Sequence, residues 1–440
     1  MEDSVNKKDI RHNLAFTIYF TIMFCFYTFT YIQLAAQIGI IAYVVICIIK
    51  NPVIDKVKIK SIVFFIIWFG IFTFFMYLSK FWAYSIAEGS KTMLTTFRIF
   101  IIGLIMFFYI DSKEKTIAVL KSFIIAILIM GIVVMIVTPI SEYGKEGDGL
   151  NYGFGTRIGQ HRNQIGAVSA TMFILCFYLK DYYNFKFGKI IGIFLVLLTF
   201  ITGSRSSVAQ IAIILVLRLL LDNDKISNKA KRVIRVIPVI VLILLLIYSI
   251  PFLYNTIWLR VEKAIITTIG NDVADTSTLG RREYKNIAFI MFKNRPFVGF
   301  GIDGFKCYLR DNSYIMGRYL QDVYSHCNYA EIAADFGVFG LLIWYIPIIY
   351  LVINMFKIKE KSNWTVCILS VFLSMIILDV ARIPWTTHLE MYMMIVIILL
   401  CRFELNEKRN ENKDESLEEN KRSMVGFKIF KKNKNTKFDE

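Results

Sequence analysis

Charge is scarce in this sequence. Asp, Glu, Lys and Arg supply 19% of its 440 residues, where a soluble domain carries about 25%, and 56% are hydrophobic. That balance excludes a water-exposed globular fold for most of the chain. The apolar runs lack period-two alternation, which excludes the strands of a transmembrane barrel. No Cys-x-x-Cys pair and no zinc-like spacing occurs among Cys25, Cys47, Cys176, Cys307, Cys327, Cys367 and Cys401. Most of these thiols lie inside apolar runs, where they behave as small hydrophobes. Cys307 and Cys327 fall in one loop in the reading below, so a disulfide between them stays open. No repeat of about 20–50 residues is visible, and no inverted pair of broken helices. The first apolar run is longer than a signal h-region and lacks a cleavage site, so no cleavable signal peptide is expected.

What is abundant is long apolar sequence. Runs near 20 residues recur along the chain, each long enough to cross a hydrocarbon core of about 30 Å, and only helices can satisfy such uninterrupted backbone there. The expected fold is therefore all-α, a polytopic bundle of about twelve spans. They are placed near 14–31, 34–49, 61–79, 92–109, 116–138, 163–179, 189–202, 206–221, 233–253, 331–356, 363–380 and 387–402. The net charge of +17 collects in short segments between runs, such as Lys225, Lys229, Lys231, Arg232 and Arg235. Cytoplasmic loops have that signature, whereas a nucleic-acid partner is not implied.

With the N-terminus inside, the segments Lys50–Lys60, Asp111–Lys115, Lys180–Lys189, Asp222–Arg235 and Lys357–Lys361 become cytoplasmic, as does a polar tail. This gives four divisions: spans one to nine over 1–253, an extracytoplasmic loop over 254–330, spans ten to twelve over 331–402 and a cytoplasmic tail over 403–440. Outside lie residues 139–162 and a loop of about 75 residues, and loops this long in a compact protein are usually functional.

Four patches on that outer side carry chemistry. In Thr202-Gly203-Ser204-Arg205-Ser206-Ser207, Arg205 stands at the membrane rim, where it either snorkels to head groups or grips a phosphate with its planar fork. Gly280-Arg281-Arg282-Glu283 precedes an amphipathic stretch from Tyr284 to Arg295, with apolar Ile287, Ala288, Ile290, Met291 and Phe292, closed by Pro296. Gly299, Gly301 and Gly304 then suit a turn that approaches something closely. Arg281 and Arg282 either contact lipid phosphate or bind substrate. The third patch, Tyr324-Ser325-His326-Cys327-Asn328-Tyr329-Ala330-Glu331, places Glu331 and Asp335 on one helix face, for which an Arg or His is the natural partner. With an ordinary pKa near 6.5, His326 could accept a proton or simply hydrogen-bond. The fourth, Thr156 to Asn163, adds Arg157, Arg162 and His161. No outer carboxylate cluster demands a metal, although Asp272 and Asp275 remain open as ligands.

In this order the patches resemble the O-antigen ligase and polysaccharide polymerase family of bacterial envelopes. The resemblance rests on Gly203-Ser204-Arg205, on Gly280-Arg281 fifteen residues before Pro296 with Gly299 and Gly301 after it, and on Ser325 to Tyr329 followed by Gly337 and Gly340. The segment 156–163 is similar to the family's Arg- and Gly-containing stretch before an Asn, and the large late loop also matches. Lys285 departs from the Trp of many members, and Cys327 separates His326 from Asn328.

The resemblance implies a cofactor-free, metal-independent glycosyltransferase in the bacterial cytoplasmic membrane, both termini cytoplasmic. It would act outside on polyprenyl-diphosphate-linked glycans, polymerising repeat units for capsule or O-antigen. Arg205, Arg281, Arg282 and Arg157 would bind the diphosphate, His326 would deprotonate the acceptor hydroxyl, and Glu331 would orient His326 or a sugar. The implied partners are the lipid-linked donor, the glycan acceptor and the bilayer, with a chain-length regulator and a flippase alongside. Transfer of finished polymer to an acceptor, as by a ligase, is the nearest alternative. A transporter is the rival of another class, with Arg98 lining its pathway, but transporters hold their key polar groups at the midplane rather than at the rim. A sensor or scaffold would leave the Arg patches and His326 without a purpose.

Overall fold

The computed structural model describes residues 10–50, 52, 56–145, 153–222, 276–313, 323–358 and 360–409, with isolated positions between 245 and 267. Within them the chain is helical with no strand. The helices are α1 (Leu14–Cys25), α2 (Thr30–Lys50), α3 (Lys58–Trp82), α4 (Ser90–Tyr109), α5 (Lys113–Val137), α6 (Arg162–Tyr183), α7 (Gly188–Ile201), α8 (Arg205–Leu221), α9 (Thr276–Asn294), α10 (Gly304–Asp311), α11 (Asn328–Phe356), α12 (Asn363–Val380) and α13 (388–409). Every expected span coincides with a helix except 233–253, most of which lies outside the described residues. Seven helices among the described residues are long and apolar enough to cross a membrane, rather than about twelve. Helices α1, α7 and α8, at 12, 14 and 17 residues, are shorter. The polytopic helical class holds.

Hydropathy could not locate the first break, because residues 14–49 are almost continuously apolar. It falls at 26–29, a few residues before the expected point. The Gln33 side-chain amide fixes it by donating to the backbone carbonyl of Tyr27 at 2.8 Å, at the end of α1. Carbonyls at a helix end have no partner within the helix, and hydrocarbon offers none.

Helix α13 is the hub. Every residue from Met391 to Cys401 is at most 3% exposed. A helix apolar on all sides belongs in the middle of a bundle, and its contacts reach outward in most directions. Tyr392 meets Tyr19 of α1 hydroxyl to hydroxyl at 2.7 Å. A methyl group on Gly103 of α4 would come within 2.9 Å of Ile395, so α4 packs close because that position lacks a side chain. Glu404 takes a short hydrogen bond from Thr365 of α12 and an ion pair from Lys113 of α5 at 3.1 Å.

Helix α11 breaks where the turn 296–301 meets it. Gly337 has φ 64° and ψ −160°, a backbone region essentially reserved for glycine. The turn 296–301 lies against that break. Val338 and Phe339 N–H donate to the carbonyls of Pro296 and Phe297 at 2.7 and 3.2 Å. Phe300 and Gly301 N–H donate to those of Ala334 and Asp335 at 2.9 and 2.7 Å. The other side of the turn meets the end of α3, where Trp82 Nε1 donates to the Val298 carbonyl at 3.1 Å and Ile302 N–H to Ser79 Oγ at 2.9 Å. The close approach expected of Gly299 and Gly301 is therefore to α11 and α3 of the protein itself: an added Cβ would meet the Asp335 backbone at 2.4 Å and Ala83 at 2.5 Å.

Candidate functional site

The structure gathers the sequence patches into two groups at one end of the bundle. In the first, α9 packs along α11. It begins at Thr276, before the amphipathic stretch read from the sequence, so Gly280, Arg281 and Arg282 lie within the helix. Its buried face carries Tyr284, Ala288 and Met291, which pack with Phe300, Phe305, Leu309 and Ala334. Arg281 precedes Tyr284 by one turn, and such residues share a helix face. Arg282 points away and is exposed, whereas Arg281 is half-buried.

His326 stands between two aromatic rings. Its imidazole lies nearly parallel to Tyr284, with centroids 6.4 Å apart, and 4.1 Å from the Tyr324 ring. Through Tyr284 the histidine meets the face of α9 that carries Arg281. The His326 backbone is left-handed, with φ 57°. Histidine tolerates that region better than bulkier residues, but it persists only where the surroundings hold it. Here they do. Glu331 accepts from the Ser325 N–H at 2.7 Å, while Ser325 Oγ donates to the Cys327 carbonyl at 2.9 Å. Glu331 thus fixes the loop from beneath.

Asp335, one turn further on, accepts from the Phe305 N–H at 2.6 Å and so caps the start of α10. The sequence suggested an Arg or His partner for these two carboxylates; each instead takes a backbone donor. Unpaired N–H groups at turns and helix starts satisfy a buried carboxylate without a second buried charge. Cys307 and Cys327 are both free thiols, as are the other five. Burial pushes the Cys307 thiol up to about 11, partly offset by Arg310.

The second group joins the patches 156–163 and 202–207. Gly203, with φ 61°, packs on Gly144, whose carbonyl accepts from Arg162 Nη1 at 2.7 Å. Ser207 Oγ donates to Ser204 Oγ at 2.9 Å, and an added Cβ on Gly166 would lie 2.7 Å from Ser207 Oγ. Arg205 is the first residue of α8, half-buried at this seam. Arg157 sits on a tight turn between left-handed Gly155 and Gly159, and its Nη2 pairs with Glu142 at 2.6 Å. A phosphate would have to compete with that carboxylate.

The sequence reading passed over the residues between the two groups. Asn328, at the start of α11, donates through Nδ2 to Asp379 at 3.0 Å and to the Tyr345 hydroxyl at 2.9 Å. Tyr345 in turn donates to Asp379 at 2.8 Å, and all three are buried. Asp379, Arg382 and Glu390 line a cavity of about 10 Å³, room for about one water. Both Arg382 and His161 lie within electrostatic range of Glu390. Buried carboxylates therefore run from the His326 loop to Glu390, within electrostatic range of His161. The signal was available: Asp379, Arg382 and Glu390 stand at the ends of apolar runs, and ionisable residues there are costly unless used. Asp272 and Asp275 lie outside the described residues, and among those described no cluster of His, Cys, Asp and Glu is placed to hold a metal ion.

The order Gly203-Arg205, Arg281, Pro296-Gly301, His326, Gly337-Gly340 now has a spatial meaning. Residues 190–345 match the family model for O-antigen ligase. The matched stretch covers about a third of the chain and includes Arg205, Arg281, His326 and Glu331. Arg157 and the Asp379–Glu390 segment fall beside it in sequence. No curated protein matches the chain. An O-antigen ligase or polymerase type of membrane function follows for the protein.

Proposed function

We propose that this protein polymerises polyprenyl-diphosphate-linked repeat units into surface polysaccharide at the outer face of the cytoplasmic membrane. The observation that carries the reading is His326, held left-handed between Tyr284 and Tyr324 against the α9 face that bears Arg281. The O-antigen ligase domain supports the substrate class. In this reading the loop 254–330 faces outward, both termini face the cytoplasm, and the Lys-rich segments between spans lie inside.

The reaction needs a base, an acceptor hydroxyl and a stabilised leaving group. The acceptor oxygen attacks the anomeric carbon, its proton passes to the His326 imidazole, and the bond from that carbon to the diphosphate oxygen breaks. The departing diphosphate keeps the electron pair and gains negative charge. Guanidinium groups fixed where that charge grows lower the barrier without reorganising, and Arg205 and Arg281 are assigned that role. Half-buried Arg281 is preferred over exposed Arg282, and Arg157 is the weakest member because Glu142 already occupies it. Glu331 is a positioning residue acting through Ser325. Tyr324, exposed beside His326, offers a flat face suited to a sugar ring.

A gel of lipid-linked glycans from cells with and without the gene tests the reading. Loss of high-mass polymer with accumulation of a single repeat unit outside the membrane is expected. Full-length polymer still on lipid would indicate a ligase, repeat units trapped inside would indicate a flippase, and an unchanged ladder would refute glycan transfer.

A further inference from the structure

A second cavity, of about 510 Å³, opens at the opposite end of the bundle from His326, between α3, α11 and α13. Its charged lining is entirely cationic: Lys60, Arg402 and Arg409. Arg402 and Arg409 are two turns apart on α13 and so share a face. Each is held in place. Arg402 Nε donates to Ser61 Oγ at 3.2 Å with its guanidinium 4.6 Å from the Phe64 ring centroid, and Arg409 Nη2 donates to Asn354 Oδ1 at 2.7 Å. The remaining wall is apolar and turned outward, with Ile67 48%, Ile346 56% and Tyr350 57% exposed. Pro347, inside α11, removes one backbone donor at the back of the groove.

We propose that this groove binds one anionic phospholipid, its phosphate on Arg402, Arg409 and Lys60 and an acyl chain along Ile67 and Ile346. Charge complementarity selects an anion, because among the described residues three cations and no carboxylate line the polar half. The exposed apolar half selects a lipid over a free phosphate, which would leave those side chains without a partner. Basic pockets between transmembrane helices on the cytoplasmic side commonly take such head groups. The inference does not depend on the reaction assigned to the other end of the bundle.

Native mass spectrometry of the full-length protein in detergent tests it, with phosphatidylglycerol, phosphatidylcholine of the same chains, or inorganic phosphate added. One phosphatidylglycerol per chain is expected to be retained in preference to phosphatidylcholine. Each cation near a lipid surface contributes roughly fivefold, so Arg402→Gln with Arg409→Gln lowers affinity about 30-fold. Should that double variant fail to fold, Lys60→Gln, at an exposed position, is expected to show the single fivefold loss. The control pair Lys80→Gln with Lys91→Gln, at the other end, changes nothing. Equal retention of both lipids, undiminished binding by the variants, or phosphate competing as well as lipid at equal concentration would each overturn the assignment.

Discussion

Replacing Gly337 by Ala tests how the reactive segment is held. The new methyl group would lie 2.4 Å from the carbonyl carbon and oxygen of Phe297, both backbone atoms that cannot swing aside. The backbone conformation at Gly337 costs an alanine roughly 1–3 kcal/mol, and overpacking typically adds about 1–3 kcal/mol. Against this stand the four backbone hydrogen bonds between 296–301 and 334–339. Polar contacts within membranes average about 0.6 kcal/mol each, so the four together are worth only about 2–3 kcal/mol. The clash matches or exceeds the lacing, and the turn should detach from α11. Arg281 and Tyr284 would lose their register against His326, while the hub around α13 stays packed. The expected result is a chain that inserts and purifies at normal yield, melts earlier and makes no high-mass polymer. Gly39→Ala is the control: nothing lies within 4 Å of the new methyl, and removing a helical glycine should be neutral or stabilise by about 0.5–1 kcal/mol. Wild-type polymer together with an unchanged melting temperature in Gly337→Ala would refute the lacing argument.

Other substitutions separate the assigned roles. Arg205→Ala and His326→Ala are each expected to abolish polymer at unchanged protein level, and wild-type ladders from both would remove the proposed site. Arg281→Ala should lower the rate of polymer formation at least tenfold, equivalent to about 1.4 kcal/mol of transition-state stabilisation, whereas exposed Arg282→Ala should stay near wild type; the reverse ranking in a membrane assay would exchange their roles. Asp379→Ala leaves the buried Asn328 and Tyr345 without their acceptor and should cost roughly 1–3 kcal/mol, read as an earlier melt, with Asp379→Asn partly restoring it. Cys307, with its thiol near 11, should react with maleimide at pH 8 about 100-fold more slowly than an ordinary exposed thiol. Its rate should rise tenfold per pH unit, since only the thiolate attacks; fast, pH-independent labelling would contradict the burial that raises it.

Much of this architecture was legible from hydropathy, because long apolar runs have a single solution in a bilayer. The features that escaped depend on contacts between runs. Nothing local told that Gln33 would close the end of α1 or that α9 would begin at Thr276. The glycines 299 and 301 announced a close approach, but not that α11 and α3 were what they approach. Carboxylate partners were misjudged for one reason: backbone N–H groups carry no signature in a sequence, so the donors to Glu331 and Asp335 could not be foreseen. Asp379, Arg382 and Glu390 were visible as charges at span ends and were passed over because their partners lie on distant segments.

The helix at the hub of the bundle is also the last one described. Residues 388–409 leave the ribosome after every segment they pack against, so α1, α3, α4, α5 and α12 must wait in the bilayer with their inward faces meeting lipid or one another. A chain halted before residue 388 would lack the axis of the bundle, and its partners, such as Tyr19 and Lys113, would have nothing to close upon. Closure of these contacts is thus tied to synthesis of residues 388–409, and chains halted before them should be recognised and degraded rather than accumulate.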